Sequence, residues 1–520
     1  MSLGRERKRG LRILWPALAG AAQAASMAMP GTGQAQAWLQ ILSLILLASG
    51  LVKMARPGFF RPSSFGQAAV FGGAFATAWL AGSFWWLYVS MHDVGGLSAP
   101  LAALAVVALA AALALYYAAA CAAWVALARG VLDTRPGAAS VLFAALWTLA
   151  ELMRGRWLTG FPWGAGGYAH IDGMLSVWAP WVGVYGIGAL AAWLAMRLAL
   201  SGWHVRALKP LLGLGVLSWG LQAWGPAFTT SAGLGQVELL QANISQTAKF
   251  DMAGGIRDAL QWYDERLRAS QQALVVAPET AIPLLPMHLP GAYWSGLQQH
   301  FARSDRAMAL VGAPLGSLSE GYTNSVVAMG PASTPAYRYD KAHLVPFGEF
   351  MPPGFVWFVR MMNIPLGDFK SGGWNQPSLT WQGQRLAPNV CYEDLFGEEL
   401  ARRFKDPATA PTALVNVSNI AWFGDTLAVD QHLSISRMRA MELGRPMLRA
   451  TNTGATAIID HSGRVTAELP RFTRGSLVGT YEGRHGLTPF AQWASVWGLW
   501  PLWVLCGAVV AMALWRRQRP

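Results

Sequence analysis

Long apolar stretches separated by short loops fill the first 230 residues, and one more closes the chain. Each is near or above the roughly 18 to 20 apolar residues that cross a bilayer as a helix. The pattern therefore predicts about eight transmembrane helices, at 11–29, 37–53, 67–89, 101–128, 139–153, 177–200, 211–227 and 494–514. The fifth is the least regular, because Glu151, Arg154 and Arg156 crowd its end. The basic run before the first span would also suit a signal peptide. Gln23 and Ser26 dilute that stretch, however, and a second span follows at once, so an uncleaved span is expected.

Between about 235 and 486 the texture changes. Short β-like runs at 237–241, 273–277, 308–312, 325–329, 412–417 and 455–459 alternate with helical stretches and Gly, Pro and Asn turns, the pattern of an α/β domain. That length supports a core of its own. Residues 428–443 read as an amphipathic helix that stops at Gly444, with Pro446 just beyond. The expected organisation is a seven-span N-terminal domain over 1–230, an α/β catalytic domain over 235–486, and a C-terminal span with a tail over 490–520.

Composition strengthens the membrane reading. The chain is 53% hydrophobic and only 13% charged, with mean hydropathy +0.31, too apolar for a soluble protein of ordinary makeup. The 26 Trp cluster largely near the ends of apolar segments, where amphipathic rings suit the membrane interface. A formal charge of +13 raises the question of nucleic acid, but the basic residues gather beside the spans, and the polar region has no strongly basic face. No nucleic-acid partner is expected.

The positions of Lys and Arg set the expected orientation. The N-terminus, the Lys53-Arg56-Arg61 loop, the Arg129-Arg135 loop, the Arg206-Lys209 loop and the Arg516-Arg517-Arg519 tail are basic, whereas the loops around Gly31 and Val94 are not. Alternation puts both termini in the cytoplasm and the α/β domain outside. Arg154 and Arg156 break the alternation and read as interface anchors or a functional feature.

Only three Cys occur, and Cys121 and Cys506 fall inside apolar stretches, leaving Cys391 as the one thiol of the polar region. Neither a disulfide within that region nor a thiolate metal site is available from this set. Taken alone, Cys391 reads more readily as a small buried core residue than as a nucleophile. Its setting points elsewhere: an apolar run reaches Val390 and a helix-forming stretch follows, so the thiol sits where a strand meets a helix N-terminus. Glu279 and Lys341 close apolar runs in the same manner, and strand ends carry sites in α/β domains. Together the three could perform acyl transfer. Glu279 would take the thiol proton, Cys391 would attack, and Lys341 with a backbone N–H after Cys391 would stabilise the oxyanion.

Pro278-Glu279-Thr280-Ala281, the run from Tyr339 to Phe350 with Lys341 and Glu349, and Asn389-Val390-Cys391-Tyr392-Glu393 resemble the three signatures of the nitrilase superfamily. With spans around that domain, the chain resembles the apolipoprotein N-acyltransferase family. The resemblance implies an αββα sandwich with a Glu279-Lys341-Cys391 triad. By it, Glu349 is a second essential carboxylate, Tyr392 and Glu393 flank the nucleophile, and Asn324 belongs to an element near the site. Trp422-Phe423-Gly424 and the Arg437, Arg439, Glu442 and Arg445 set also match. Phe250 stands where a substrate-contacting Trp is expected, and Ile420 where an Asp is expected. On residue chemistry alone, Glu349 could be a structural partner of a cation, His343 is structural, Tyr392 and Glu393 could merely shape the turn, and Arg437, Arg439 and Glu442 form a stabilising network.

The function implied is N-acylation of diacylglyceryl-cysteine in apolipoproteins at the bacterial inner membrane. Its acyl donor is a phospholipid, phosphatidylethanolamine by the resemblance, and its intermediate is a Cys391 thioester. Membrane lipid and a diacylated apolipoprotein are the partners, and no metal or organic cofactor is implied. Residues 346–369, with Phe350, Met351, Phe355, Trp357, Phe358, Met361 and Met362, read as an arm that meets lipid. The alternatives are a membrane-anchored carbon-nitrogen hydrolase releasing ammonia and a transporter or binding module carrying an inactive domain.

Overall fold

The computed structural model describes residues 2–56, 64–129, 132, 134–202, 208–246, 254–355, 357, 361 and 368–518, with side chains from residue 14. The chain forms two compact units: Met1–Trp85 with Pro100–Pro226 and Leu499–Pro520, and Trp86–Ala99 with Ala227–Gly498.

The first unit is helical: α1 (Ser2–Met27), α2 (Ala37–Ala55), α3 (Ser64–Ser83), α4 (Ala99–Ala128), α5 (Pro136–Arg156), α6 (Ala179–Ser201) and α7 (Leu208–Trp224). Among the described residues four helices are long and apolar enough to cross a membrane, or six if each of two broken helix pairs counts as one span, so the expectation of about eight is too high. The reason is local. α7 has 17 residues, about 26 Å of helix, at the lower limit of what spans a bilayer. The first apolar stretch continues a helix whose first half is basic. In α4, Ala102, Val106, Ala110, Ala114 and Tyr117 form a buried stripe of mostly small residues, while Leu104 and Leu115 stand 62% and 68% exposed. An apolar outer face over a small-residue seam is how a helix packs in lipid. Arg154 is not an interface anchor. It is fully buried, its Nε donates to the Tyr117 hydroxyl at 3.0 Å, and its Nη1 donates to the carbonyls of Phe161 and Trp163 at 2.6 and 2.7 Å.

The second unit holds two six-stranded sheets. The first contains β1 (Thr229–Gln241), β2 (Leu274–Val276), β3 (Met308–Ser317), β4 (Gly321–Met329), β5 (Tyr337–Asp340) and β12 (Gly475–Gly486), in the order β12-β1-β2-β3-β4-β5. The second contains β6 (Leu379–Trp381), β7 (Gln384–Val390), β8 (Ala413–Ser418), β9 (Met447–Thr451), β10 (Ala457–Ile459) and β11 (Val465–Glu468), in the order β11-β10-β9-β8-β7-β6. Each has three parallel strands at its centre, β1-β2-β3 and β7-β8-β9, with antiparallel strands outside.

Alternation along the strands decides the layering. Leu274 and Val276 join Leu310, Val390, Val415 and Leu448 in the core between the sheets. Val275 and Ala277 face the other way, against Leu260 and Leu267 of α8 (Gly255–Ala269) and Phe301 of α9 (Tyr293–Ala302). Behind the second sheet, Leu414 and Met447 pack on Leu400 of α10 (Gly397–Ala401), Leu443 of α11 (Ala428–Leu443) and Phe490 of α12 (Pro489–Trp497). Each such aliphatic side chain contributes about 1.5–3 kcal/mol by burial. The result is the αββα sandwich expected.

α11 ends as its sequence requires, with Gly444 left-handed at φ 62°. Its expected amphipathicity does not hold. Gln431, His432, Ser436, Arg439 and Glu442 are all buried along with the apolar residues, because the helix is enclosed and spends its polar side chains inside the fold. Trp86–Ala99, which hydropathy assigned to the end of a span and a loop, lies in this unit. Trp86 donates its indole N–H to Gln431 at 3.0 Å and packs on Phe423 with ring centroids 4.3 Å apart.

Candidate active site

Glu279 lies just past the end of β2, in a turn that crosses β3 so closely that a Cβ on Gly312 would meet the Pro278 carbonyl at 2.3 Å. Only glycine fits there. Lys341 follows β5 directly, with its backbone N–H donated to the Asn324 carbonyl at 2.8 Å. Cys391 follows β7 and opens a short 3-10 turn over Cys391–Leu395. Its φ of 51° is left-handed, which costs a residue with a Cβ about 1–2 kcal/mol.

The carboxylates converge on the lysine. Lys341 Nζ lies 2.9 Å from Glu349 Oε2 and 3.6 Å from Glu279 Oε1. Asn324 spans the two acids, donating from Nδ2 to Glu279 Oε1 and Glu349 Oε1 at 2.7 Å each. The Asn419 N–H donates to Glu279 Oε2 and the Val345 N–H to Glu349 Oε2, both at 2.8 Å. Each acid is thus aimed by one backbone N–H and by the shared amide.

The electrostatics follow from that packing. Burial opposes the Lys341 charge, but Glu349 and then Glu279 outweigh it and hold the ammonium above its ordinary range. Burial first, and then Glu279, push the Cys391 thiol up to about 12, against the pull of Lys341 and of the Ser418 side chain. At rest the Cys391 side chain is therefore a thiol. To serve as a nucleophile it would need a base, and Glu279 is the carboxylate it feels most strongly.

Glu393 joins the lysine strand to the cysteine strand. Its Oε1 accepts from the N–H groups of Ala342 and His343 at 2.8 and 3.2 Å, just after Lys341. Its Oε2 accepts from the Val390 N–H at 2.7 Å, just before Cys391, and the Tyr339 hydroxyl donates to both oxygens. One carboxylate sets the positions of Lys341 and Cys391 relative to each other. Tyr392 is buried beside Phe396 and His343, with ring centroids 5.3 and 5.5 Å away, and His343 stacks on Phe396 at 3.8 Å. Arg439 pairs with Glu442 at 3.0 Å, and Arg437 donates to the Gly463 carbonyl.

The structure thus brings Glu279, Lys341, Glu349 and Asn324 together, with Cys391 in their field and Glu393 behind it. Ile420, at the position expected to be Asp, is buried among Val429, Ala455 and Cys391, an apolar setting that suits it. Phe250 lies outside the described residues, as does much of the 346–369 arm. Of that arm, Phe355, Trp357 and Met361 are exposed, and Phe347 contacts Phe355. Sequence reading missed Asn419, Ser418, His432 and Arg449. Asn419 and Ser418 sit just past the Thr412–Val417 run, the same strand-end signal that singled out the triad.

Among known proteins, the family described as "Apolipoprotein N-acyltransferase N-terminal domain" matches residues 19–197, and "Carbon-nitrogen hydrolase" matches residues 236–483. The chain is 53% identical over 511 residues to an apolipoprotein N-acyltransferase of Verminephrobacter eiseniae, covering 94% of this chain and 93% of that one. It is 46% identical to one from Ralstonia nicotianae, over 93% of this chain and 90% of that one, and 42% identical to one from Bordetella bronchiseptica, over 86% and 88%.

Proposed function

The chain belongs to the apolipoprotein N-acyltransferase family and acylates apolipoproteins in lipoprotein maturation, and we propose that it does so in two steps through Cys391. The observation that carries this reading is Lys341, buried between Glu279 and Glu349 and charged in the field of the thiol.

In the first step Cys391 Sγ attacks the acyl ester of a phospholipid while Glu279 takes the thiol proton. The new S–C bond forms through a tetrahedral oxyanion stabilised by Lys341 and the Tyr392 N–H. The C–O bond to glycerol then breaks, and Glu279 returns the proton to the leaving alkoxide, releasing a lysophospholipid. In the second step the α-amine of diacylglyceryl-cysteine attacks the thioester. A C–N bond forms, the C–S bond breaks, and the amine's proton passes through Glu279 to sulfur. The donor is phosphatidylethanolamine, acylated at sn-1. Glu349 keeps Lys341 charged and in place.

The enzyme sits in the bacterial inner membrane with both termini cytoplasmic and the α/β unit periplasmic, a placement supported by the alternation of basic loops. Membrane-impermeant thiol reagents should label an Arg517→Cys variant only after the membrane is opened. Labelling in intact spheroplasts would reverse the topology.

The chemistry is tested by mass. Incubated with phosphatidylethanolamine and no acceptor, the enzyme should gain one acyl group that neutral hydroxylamine removes. A diacylated lipopeptide with a free N-terminus should discharge it, and an N-acetylated one should not. Steady transfer by Cys391→Ala at the wild-type rate would replace the thioester with direct attack by the amine.

A further inference from the structure

Beside the Cys391 turn lies a buried set that no proton-transfer step uses. The Cys391 carbonyl is 3.3 Å from Nε2 of His432, a fully buried residue of α11. Nδ1 of the same ring is 2.9 Å from Arg449 Nη2, on β9. A guanidinium can only donate, so Nδ1 must accept, and the ring proton is left on Nε2. His432 therefore donates to the Cys391 carbonyl. Burial first, and then Arg449, hold its charging well below the usual histidine range, which agrees with a neutral ring of one tautomer.

Arg449 is itself fixed at every branch. Its Nε donates to the Ala455 carbonyl at 2.9 Å, and its Nη1 donates to Asn416 Oδ1 at 3.1 Å and Ser436 Oγ at 2.7 Å. Nη1 also lies 3.6 Å from Asp394 Oδ2, which accepts from the Ser436 hydroxyl. Asp394 belongs to the same 3-10 turn as Cys391. One guanidinium thus holds that turn at two points: Asp394 directly, and the Cys391 carbonyl through an imidazole whose tautomer it dictates.

We infer that His432 is a positioning residue for the acyl-transfer reaction, holding the left-handed Cys391 turn in its reactive conformation by anchoring the Cys391 carbonyl. The 391–392 peptide is planar and trans, so fixing its carbonyl toward His432 turns the Tyr392 N–H to the opposite side. The same anchor opposes relaxation of a φ that a residue with a Cβ would leave if free. A misplacement of about 1 Å in such a frame costs on the order of 10²-fold in rate.

The inference rests on the thioester reading for its readout in acylation, so the test carries a second readout that does not. Two variants of the full-length detergent-solubilised enzyme separate the two ring nitrogens. His432→Gln places an amide N–H near Nε2 and keeps the donor to the Cys391 carbonyl, whereas His432→Asn places an acceptor near Nδ1 and loses that donor. For both, the rate of acyl-enzyme formation from phosphatidylethanolamine, its KM, the rate of Cys391 alkylation by iodoacetamide and the melting temperature are measured.

With the two melting temperatures matched, His432→Gln should stay within about threefold of wild type in both rates, and His432→Asn should fall by about tenfold to 10²-fold with KM unchanged. An Asn variant as fast as the Gln variant would overturn the inference. So would equal losses in both variants that follow a common drop in melting temperature. Should the Asn variant not fold, Arg449→Lys keeps a charge opposite Asp394 but gives up the donor to Nδ1. Its acylation and alkylation rates should fall, and unchanged rates would likewise overturn the inference. Absence of any hydroxylamine-labile adduct on the wild type would sink the thioester reading alone, because the order of alkylation rates still decides the role of His432.

Discussion

The two sheets of the α/β unit share a plan of three central parallel strands flanked by antiparallel ones, yet they supply different halves of the chemistry. The first sheet delivers charge: Glu279 after β2, Asn324 on β4, and Lys341 after β5 with Glu349 in the loop beyond. The second carries Cys391, the proposed nucleophile, after β7 and a frame around it from β8, β9 and α11, in which Asn416, His432 and Ser436 surround the Arg449–Asp394 pair. Two similar ladders can be specialised because a strand end fixes where a side chain starts, while its neighbours across the sandwich fix what it meets. Glu393 is the member of the second sheet's turn that reaches the first, and it makes the two halves one site.

Breaking the second half at its tip should have the largest effect. Cys391→Ala should lower transfer by about 10⁴-fold or more with no acyl adduct, since removing a covalent nucleophile alone costs nearly as much as removing its whole set. Retained transfer would place the nucleophile elsewhere.

Breaking the first half comes next. Glu279→Gln cannot accept the thiol proton and should slow acyl-enzyme formation by about 10²- to 10⁴-fold in a folded protein, read by quenched-time mass measurement. Lys341→Ala removes oxyanion stabilisation, about 10²- to 10³-fold, and leaves Glu279 and Glu349 together without a cation, costing about 3–5 kcal/mol in a thermal or denaturant melt. If Glu279→Gln acylates at the normal rate, the first half is not the base.

Cutting the link between the halves should be milder and should register in stability as well as rate. Glu393→Gln replaces one accepting oxygen with an NH2 that faces buried donors and should cost about 1–3 kcal/mol, whereas Tyr339→Phe, which removes one of those donors, should cost about 0.5–1.5 kcal/mol. A Glu393→Gln variant as stable as wild type but inactive would make that carboxylate chemical rather than structural.

The smallest effect sharpens the comparison without a mutation. Because burial and Glu279 raise the Cys391 thiol to about 12, the thiolate fraction at pH 8 is far below that of a free cysteine. Iodoacetamide should therefore modify Cys391 slowly at pH 8 and ever faster to pH 10 and above. A plateau near pH 8.5 would mean that the first half does not act on the thiol.

Much of this protein follows from the order of its residues, for identifiable reasons. Apolar runs of bilayer length mark α2, α4, α5 and α6, short β-like apolar runs mark the central strands, and Gly444 marks the stop of α11, because each is set by local geometry and burial. Glu279, Lys341 and Cys391 are visible as polar residues closing apolar runs. What the tertiary structure decided is pairing. Hydropathy counts apolar residues and could not see that Trp86–Ala99, at the end of an apolar stretch, packs with the α/β unit. The buried polar face of α11 runs against helical periodicity and acquires meaning only when Arg449, 17 residues from His432, arrives on β9. Likewise, nothing in the order of residues says that Asn324 will span two carboxylates or that Glu393 will hold the peptides beside both Lys341 and Cys391. Those contacts depend on which strand ends the sandwich brings face to face, and so they are properties of the packed sheets rather than of any segment.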